Sequence, residues 1–349
     1  MSVLAPMMLT VATTALAALP LTPALRELRR REDAAPLPTR SDDGDIRSFA
    51  HSFRRYIEPA LADLDQAALA KETRSITLAD GSPALVLGGR GACDFAGRTV
   101  EQIVLCAHDA FLPPQVSFTR DLFVRGRLVG GADNVIRAAM VDGDASLGDR
   151  TIVLRWLHVQ GSLTANSGCQ FFGRVSADKL ISLGYGCRFE RISGPAIIAG
   201  LDEVPGYLER LQHTGNRSTI DRRFGRLRVN GEVHLATGDV VQGHIVALGN
   251  VRIDAGAQVT GSVKSHHDIH LGGGVEVHGA ITSSGRLEIS EKCFVRGPLL
   301  CEQEVVIGTG TQIGSPECAT TISAPRIRIA PGAVVYGTLW AREFGEVMP

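Results

Sequence analysis

The chain has 349 residues, 44% of them apolar and 5% aromatic, with a formal net charge of −1. That is enough apolar material for a core, which excludes extended disorder, and too little net charge for a general attraction to polyanions, which argues against nucleic-acid binding. Its 39 glycines favour tight turns and thin β cores over helix bundles, and its seven cysteines, one of them odd, form no CxxC pair, so a zinc-finger spacing and a disulfide framework are both absent and a reducing compartment is the economical reading.

Residues 2–25 carry no charge and are followed by Arg26, Arg29, Arg30 and Arg31. An uncharged run of about 20 residues is long enough to cross the hydrocarbon layer of a bilayer. Because the arginines follow the apolar stretch, they predict a single-pass anchor whose following residues lie in the cytoplasm, on the inner membrane of a bacterium. Pro6, Pro20 and Pro23 weaken the apolar character, and Ala15-Leu16-Ala17 leaves a cleaved signal peptide as the other reading.

Next, Ile46, Phe49, Phe53 and Ile57 recur at helical spacing with Arg47, Arg54 and Arg55 elsewhere on the surface, which predicts a short amphipathic helix ended by Pro59. A second helix follows in "ALADLDQAALAKE". Two placements stay open for the first helix: flat on the anionic cytoplasmic leaflet, or packed on its own domain or a second copy.

From Val233 the sequence realigns with itself every 18 residues: "VHLATGDVVQGHIVALGN", "VRIDAGAQVTGSVKSHHD", "IHLGGGVEVHGAITSSGR", "LEISEKCFVRGPLLCEQE". Positions one, three, nine and thirteen are always aliphatic and position eleven is always glycine (Gly243, Gly261, Gly279, Gly297). Short alternating runs broken by glycine predict strands, and a unit that cannot bury its apolar face alone predicts stacking at about 4.8 Å into a β-solenoid. Glycine at position six suits a corner with positive φ, and glycine at position eleven suits close passage of backbones. The units from Ala145, Leu163 and Ile181 fit the same frame, whereas Leu201 to Gly225 abandons it and carries a short helical pattern. The expected organisation is therefore a transmembrane anchor over 1–25, a juxtamembrane helical region over 26–75, an irregular solenoid block over 76–200, an insertion or linker over 201–225, and a regular solenoid with a C-terminal cap over 226–349.

Units such as "VRIDAGAQVTGSVKSHHDIHLGGGVEVHGAITS" resemble the bactofilins, the polymer-forming cytoskeletal proteins of bacteria, most clearly over residues 233–338. The resemblance implies an all-β, right-handed parallel β-helix that assembles end to end without nucleotide or other cofactor, often on the inner membrane, where it recruits cell-envelope or exopolysaccharide enzymes. The chain departs from that family in its length, its two repeat blocks and its helical N-terminal region.

Solenoid ends expose unpaired backbone groups and must be capped or paired. The last unit ends on an apolar set, and Val335, Tyr336, Leu339 and Trp340 are the candidate self-association residues; the other reading makes this set a cap folded over the last coil. Two enzymatic alternatives carry specific requirements. A left-handed hexapeptide acyltransferase needs aliphatic residues at positions three, nine and fifteen, and position fifteen is Ala247, Ser265, Ser283 and Cys301. A carbohydrate-active β-helix enzyme needs paired carboxylates on adjacent coils, and no surface column of the regular block holds such a pair. No catalytic residue is singled out. Cys169 and Cys187 share position seven of consecutive units, so they are expected to stack, close enough for a disulfide but more simply as reduced thiols in a ladder. His266, His267, His270 and His278 fall on different parts of the coil, so no metal site is expected.

Overall fold

In the computed structural model, the described residues are 45–89, 91–92, 95, 97–200 and 225–349, together with Met7, Met8 and Thr13. The chain divides into two compact units, Met1–Asp45 and Ile46–Pro349, and the second contains everything discussed below. No helix among the described residues is long and apolar enough to cross a membrane. The expected anchor at 1–25 and the expected helical pattern within 201–224 lie outside the described residues, apart from Met7, Met8 and Thr13.

Strands stacked at about 18-residue spacing make a β-solenoid of about 13 turns with little helix. In the regular block, Val233 pairs with Val251, then Ile269, Leu287, Val305 and Ile327, all in parallel register. Each coil has three short strands, and each of its three faces points two residues inward. Positions one and three are buried (Val251, Ile253), as are seven and nine (Ala257, Val259) and thirteen and fifteen (Val263, Ser265).

Position fifteen faces the core although it is not aliphatic. Ser265 and Ser283 are buried yet satisfied: their hydroxyls donate to the carbonyls of Gly249 and His267, both at 2.7 Å, and the Cys301 thiol reaches the Gly285 carbonyl at 2.9 Å. A small residue that returns its proton to the neighbouring coil keeps this face narrow without an orphaned polar group.

The two glycine columns behave as their positions demand. At position six the chain turns through positive φ at Gly238, Gly256, Gly274, Gly310 and Gly332, and Lys292 adopts φ 56° at the equivalent corner. At position eleven a Cβ added to Gly279 would lie 2.5 Å from the Gly261 carbonyl carbon.

The first block begins with strand Thr73–Thr77 laid antiparallel on Pro83–Leu87 and continues in parallel coils to Arg188–Ala199. Helix α1 (Ser48–Ile57) and helix α2 (Leu61–Ala70) pack on this block, which settles the open placement of α1 in favour of its own domain. One outward column explains their footprint. Val86, Leu105, Phe123, Met140, His158, Ser176 and Ser193 are register partners on successive strands. Its first four members form an apolar cluster with Ala50, Phe53, Ile57, Leu64 and Ala67 of the helices, and the column turns polar where the helices end. Arg54 fastens α1 to Asp142 at 2.8 Å and Arg47 to Asp178 at 3.2 Å.

At the margin of that footprint, His158 is buried with its Nδ1 2.9 Å from the Ser176 hydroxyl. Burial holds its pKa below the ordinary 6.5, with the Asp178 and Asp142 carboxylates opposing and Arg47 and His51 adding to the depression.

Two outcomes follow. Gly279→Ala lowers stability by about 1–3 kcal/mol because the methyl group meets backbone, whereas Lys292→Gly raises it by about 1 kcal/mol by relieving a left-handed β-carbon; urea-unfolding midpoints measure both. For His158, the unfolded imidazole takes its proton first as the pH falls through 6.5, so stability is full above 6.5 and declines below it until the depressed folded pKa is passed. The melting temperature of His158→Gln is therefore expected to fall less between pH 7.5 and pH 5.5 than that of the parent chain.

Candidate functional site

The last strand of the first block, Arg188–Ala199, and the last strand of the second, Val334–Val347, pair with each other in antiparallel register. Ile192 faces Leu339, Ser193 faces Thr338, and Ile197 faces Val335. The Ser193 and Thr338 hydroxyls are 3.0 Å apart, and backbone bonds at 2.7 Å (Gly332 N–H to Ala199 O) and 3.0 Å (Val347 N–H to Cys187 O) tie the flanks. Phe189, Ile192, Ile197, Val335 and Leu339 belong to one buried cluster spanning both blocks. The two solenoids thus meet tail to tail, and the core runs through the join.

This places the four sequence-predicted residues. Val335 and Leu339 lie in the intramolecular seam, so the apolar end is neither a contact open to a second copy nor a cap over the last coil; the chain's own first block covers it. Tyr336 is buried, and burial followed by the nearby Glu317 charge pushes its hydroxyl pKa up. Trp340 alone is exposed, at 45%. The sequence alone does not identify what packs against these side chains.

Beside the seam lies a groove of about 600 Å³ lined by Phe49, Leu154, Arg155, Trp156, Phe172, Gly173, Arg174, Glu190, Arg191, Trp340, Ala341 and Arg342. Its axis is a register column that crosses the seam without a break: Trp156, Arg174, Arg191, Trp340. The strands are irregular here. Phe172 and Gly173 stand opposite the single residue Glu190, and Glu190 stands opposite residues 341–344 of the second block. Such bulges re-aim side chains out of the sheet plane, which is how Leu154, Phe172 and Trp340 come to be exposed together. Gly173 is required at its position, because a Cβ there would lie 1.8 Å from the Arg155 carbonyl oxygen.

The electrostatics of the groove are one-sided. Four guanidinium groups, Arg155, Arg174, Arg191 and Arg342, face one carboxylate, Glu190. Arg174 sits 4.9 Å over the Phe49 ring and Arg191 5.1 Å over the Trp340 ring, so two cations are held over rings. Among the described residues neither Arg155 nor Arg174 forms a salt bridge. A single carboxylate does not supply the acid and base pair of glycoside hydrolysis, and the balance of charge in the groove favours an anion.

Other expected features occupy separate places. Cys169 and Cys187 are buried free thiols, and hydrogen bonding between the two, with burial, pushes Cys169 far up. Burial raises Cys293 to about 11. Cys169 and Cys293 are thus held as protonated, unreactive thiols. His270 lies 3.8 Å from Glu288 and His278 3.6 Å from Glu276, and no three metal-ligating side chains converge among the described residues.

A second feature matters for association. At the far end of the second block, strands Gly225–Val229, Val233–Leu235 and Val240–Val241 each pair on one side only among the described residues. Leu227 on this coil is 45% exposed. No family model, curated protein or solved structure gives a significant match to this chain.

Proposed function

We propose that the chain is a non-catalytic, self-associating scaffold of bactofilin type, its solenoid coiled right-handedly. In this reading residues 1–25 hold it at a bacterial inner membrane with the solenoid on the cytoplasmic side, and its faces recruit cell-envelope or exopolysaccharide enzymes. One observation carries the self-association: the Gly225–Val241 coil has an outer edge with no strand on it among the described residues, while the opposite end of the same block is paired in the seam. Unpaired strand edges template further pairing. The seam is a working example, within one chain, of two such coils joined in antiparallel register, and the same geometry between two copies gives a two-fold, self-complementary contact.

The other end of the molecule is less suited to association. Its outer strand, Thr73–Thr77, is polar and carries Arg74, a composition that blunts an edge. Association therefore closes at two chains joined through the second block, and longer polymers require the first block's end to open.

Size-exclusion chromatography with light scattering on the full-length chain in mild detergent tests this. A particle containing two chains is expected, with Leu227→Asp shifting it to one chain while the circular dichroism spectrum is retained. A monomer at tens of micromolar, or a dimer indifferent to Leu227→Asp, contradicts the proposal.

A further inference from the structure

The seam groove has a repeat length, a charge and a set of flat apolar surfaces, and the three together constrain what fits it. Its central column places Trp156, Arg174, Arg191 and Trp340 on four successive strands, about 4.8 Å apart along the solenoid axis. Beside it stand Arg155, Arg342 and the exposed rings of Phe172 and Phe49. We infer that this groove is a binding site for a linear acidic polysaccharide, a polyuronate, laid along the solenoid axis across the join of the two blocks.

Three observations favour that ligand. First, the charge balance of four arginines against Glu190 contrasts with a chain whose net charge is −1, so the cationic character is local to the groove. Second, the guanidinium forks match carboxylates in bidentate geometry, and neither Arg174 nor Arg155, which is drawn to Asp121 at longer range, is held by a salt bridge among the described residues. Third, the spacing selects among polyanions. An extended peptide presents same-face side chains about 6.8 Å apart, out of step with the coils. A hexuronate chain carries carboxylates beside apolar ring faces, so guanidinium groups and aromatic rings lining one groove meet both kinds of surface on a single ligand. The apolar faces of pyranose rings then lie on Trp340 and Phe172, which water alone would leave poorly solvated.

Neither the seam nor the groove uses the Gly225–Val241 edge, so the inference stands whether or not two copies associate, and it adds to the scaffold reading only what this surface holds. Binding is expected to be electrostatically assisted and to weaken with salt.

The test is titration of the full-length chain with hexagalacturonate, followed by tryptophan fluorescence and calorimetry, beside the neutral cellohexaose, hexaglutamate and a six-nucleotide oligothymidylate. Hexagalacturonate is expected to bind at least about tenfold more tightly than cellohexaose, and Arg174→Gln and Arg155→Gln are each expected to weaken it about tenfold, the loss of one charged hydrogen-bonding partner. Neither arginine fastens the fold by an ion pair, and an unchanged melting temperature confirms that each variant is intact. Trp340→Phe keeps a ring in the groove and is expected to retain binding within about threefold, with the fluorescence response reduced to that of Trp156. Equal or tighter binding of hexaglutamate or oligothymidylate, undiminished binding by both arginine variants, or no binding of hexagalacturonate each overturns the inference.

Discussion

A β-solenoid solves the problem of burial by repetition and creates another at its ends, where a whole coil of backbone N–H and C=O groups has no neighbour. In this protein one solution to that problem organises everything else. Two blocks of the same coil turn their C-terminal ends toward each other and pair in antiparallel register, Arg188–Ala199 against Val334–Val347. Parallel stacking holds within each block, but only an antiparallel pair lets two C-terminal ends meet. That choice fixes where the chain goes: Gly200 lies against Pro331 near the seam, whereas Gly225 begins the coil at the far end of the second block.

The seam also generates a surface with distinctive chemistry. Bulges are tolerated where two stacks of opposite sense have to be reconciled, and they expose rings that regular coils would leave inside or replace with short polar residues. The column runs from Arg174 and Arg191 of the first block to Trp340 of the second, with Arg342 beside it, so the groove belongs to neither block alone. Helix α1 closes its first-block side through Phe49, linking the helical region to the same site. The continuity of the apolar cluster through Phe189, Ile192, Leu339 and Val335 makes the two blocks one folding unit, so disturbance at the seam is transmitted to the groove.

The regular coils were legible in the sequence because each rests on local, repeated physics. Period, strand placement and the two glycine columns follow from residues 18 apart, and Gly274 and Gly279 adopt the roles their positions imply. Helix α1 was legible through Ile46, Phe53 and Ile57, although Phe49, on the same predicted face, turned out exposed. The inward face of position fifteen was not legible, because Ser265 and Ser283 carry polar atoms that the carbonyls of the preceding coil satisfy, a contact that polarity alone does not reveal. The seam was not legible because it joins residues with no shared period and opposite strand sense, such as Ile192 and Leu339. The groove was missed for a related reason. Bulges shift the frame by a residue, so Arg174 and Arg191 are 17 apart in a chain that repeats at 18. The equal register of Trp156 and Arg174, both on the 18-residue frame, was the one available signal.

The most direct measurement of the tail-to-tail arrangement is a cross-link across it. Ser193 and Thr338 face each other with their hydroxyl oxygens 3.0 Å apart, within the reach of a disulfide. In the chain carrying Ser193→Cys and Thr338→Cys, mild oxidation followed by peptide mass spectrometry is predicted to show an intramolecular bond between these two positions in nearly every molecule, at protein concentrations low enough to exclude contact between copies. A pair at Ser176→Cys and Thr338→Cys, one coil further apart, is predicted not to close. Absence of the first bond, or its formation only between separate chains, would contradict the account.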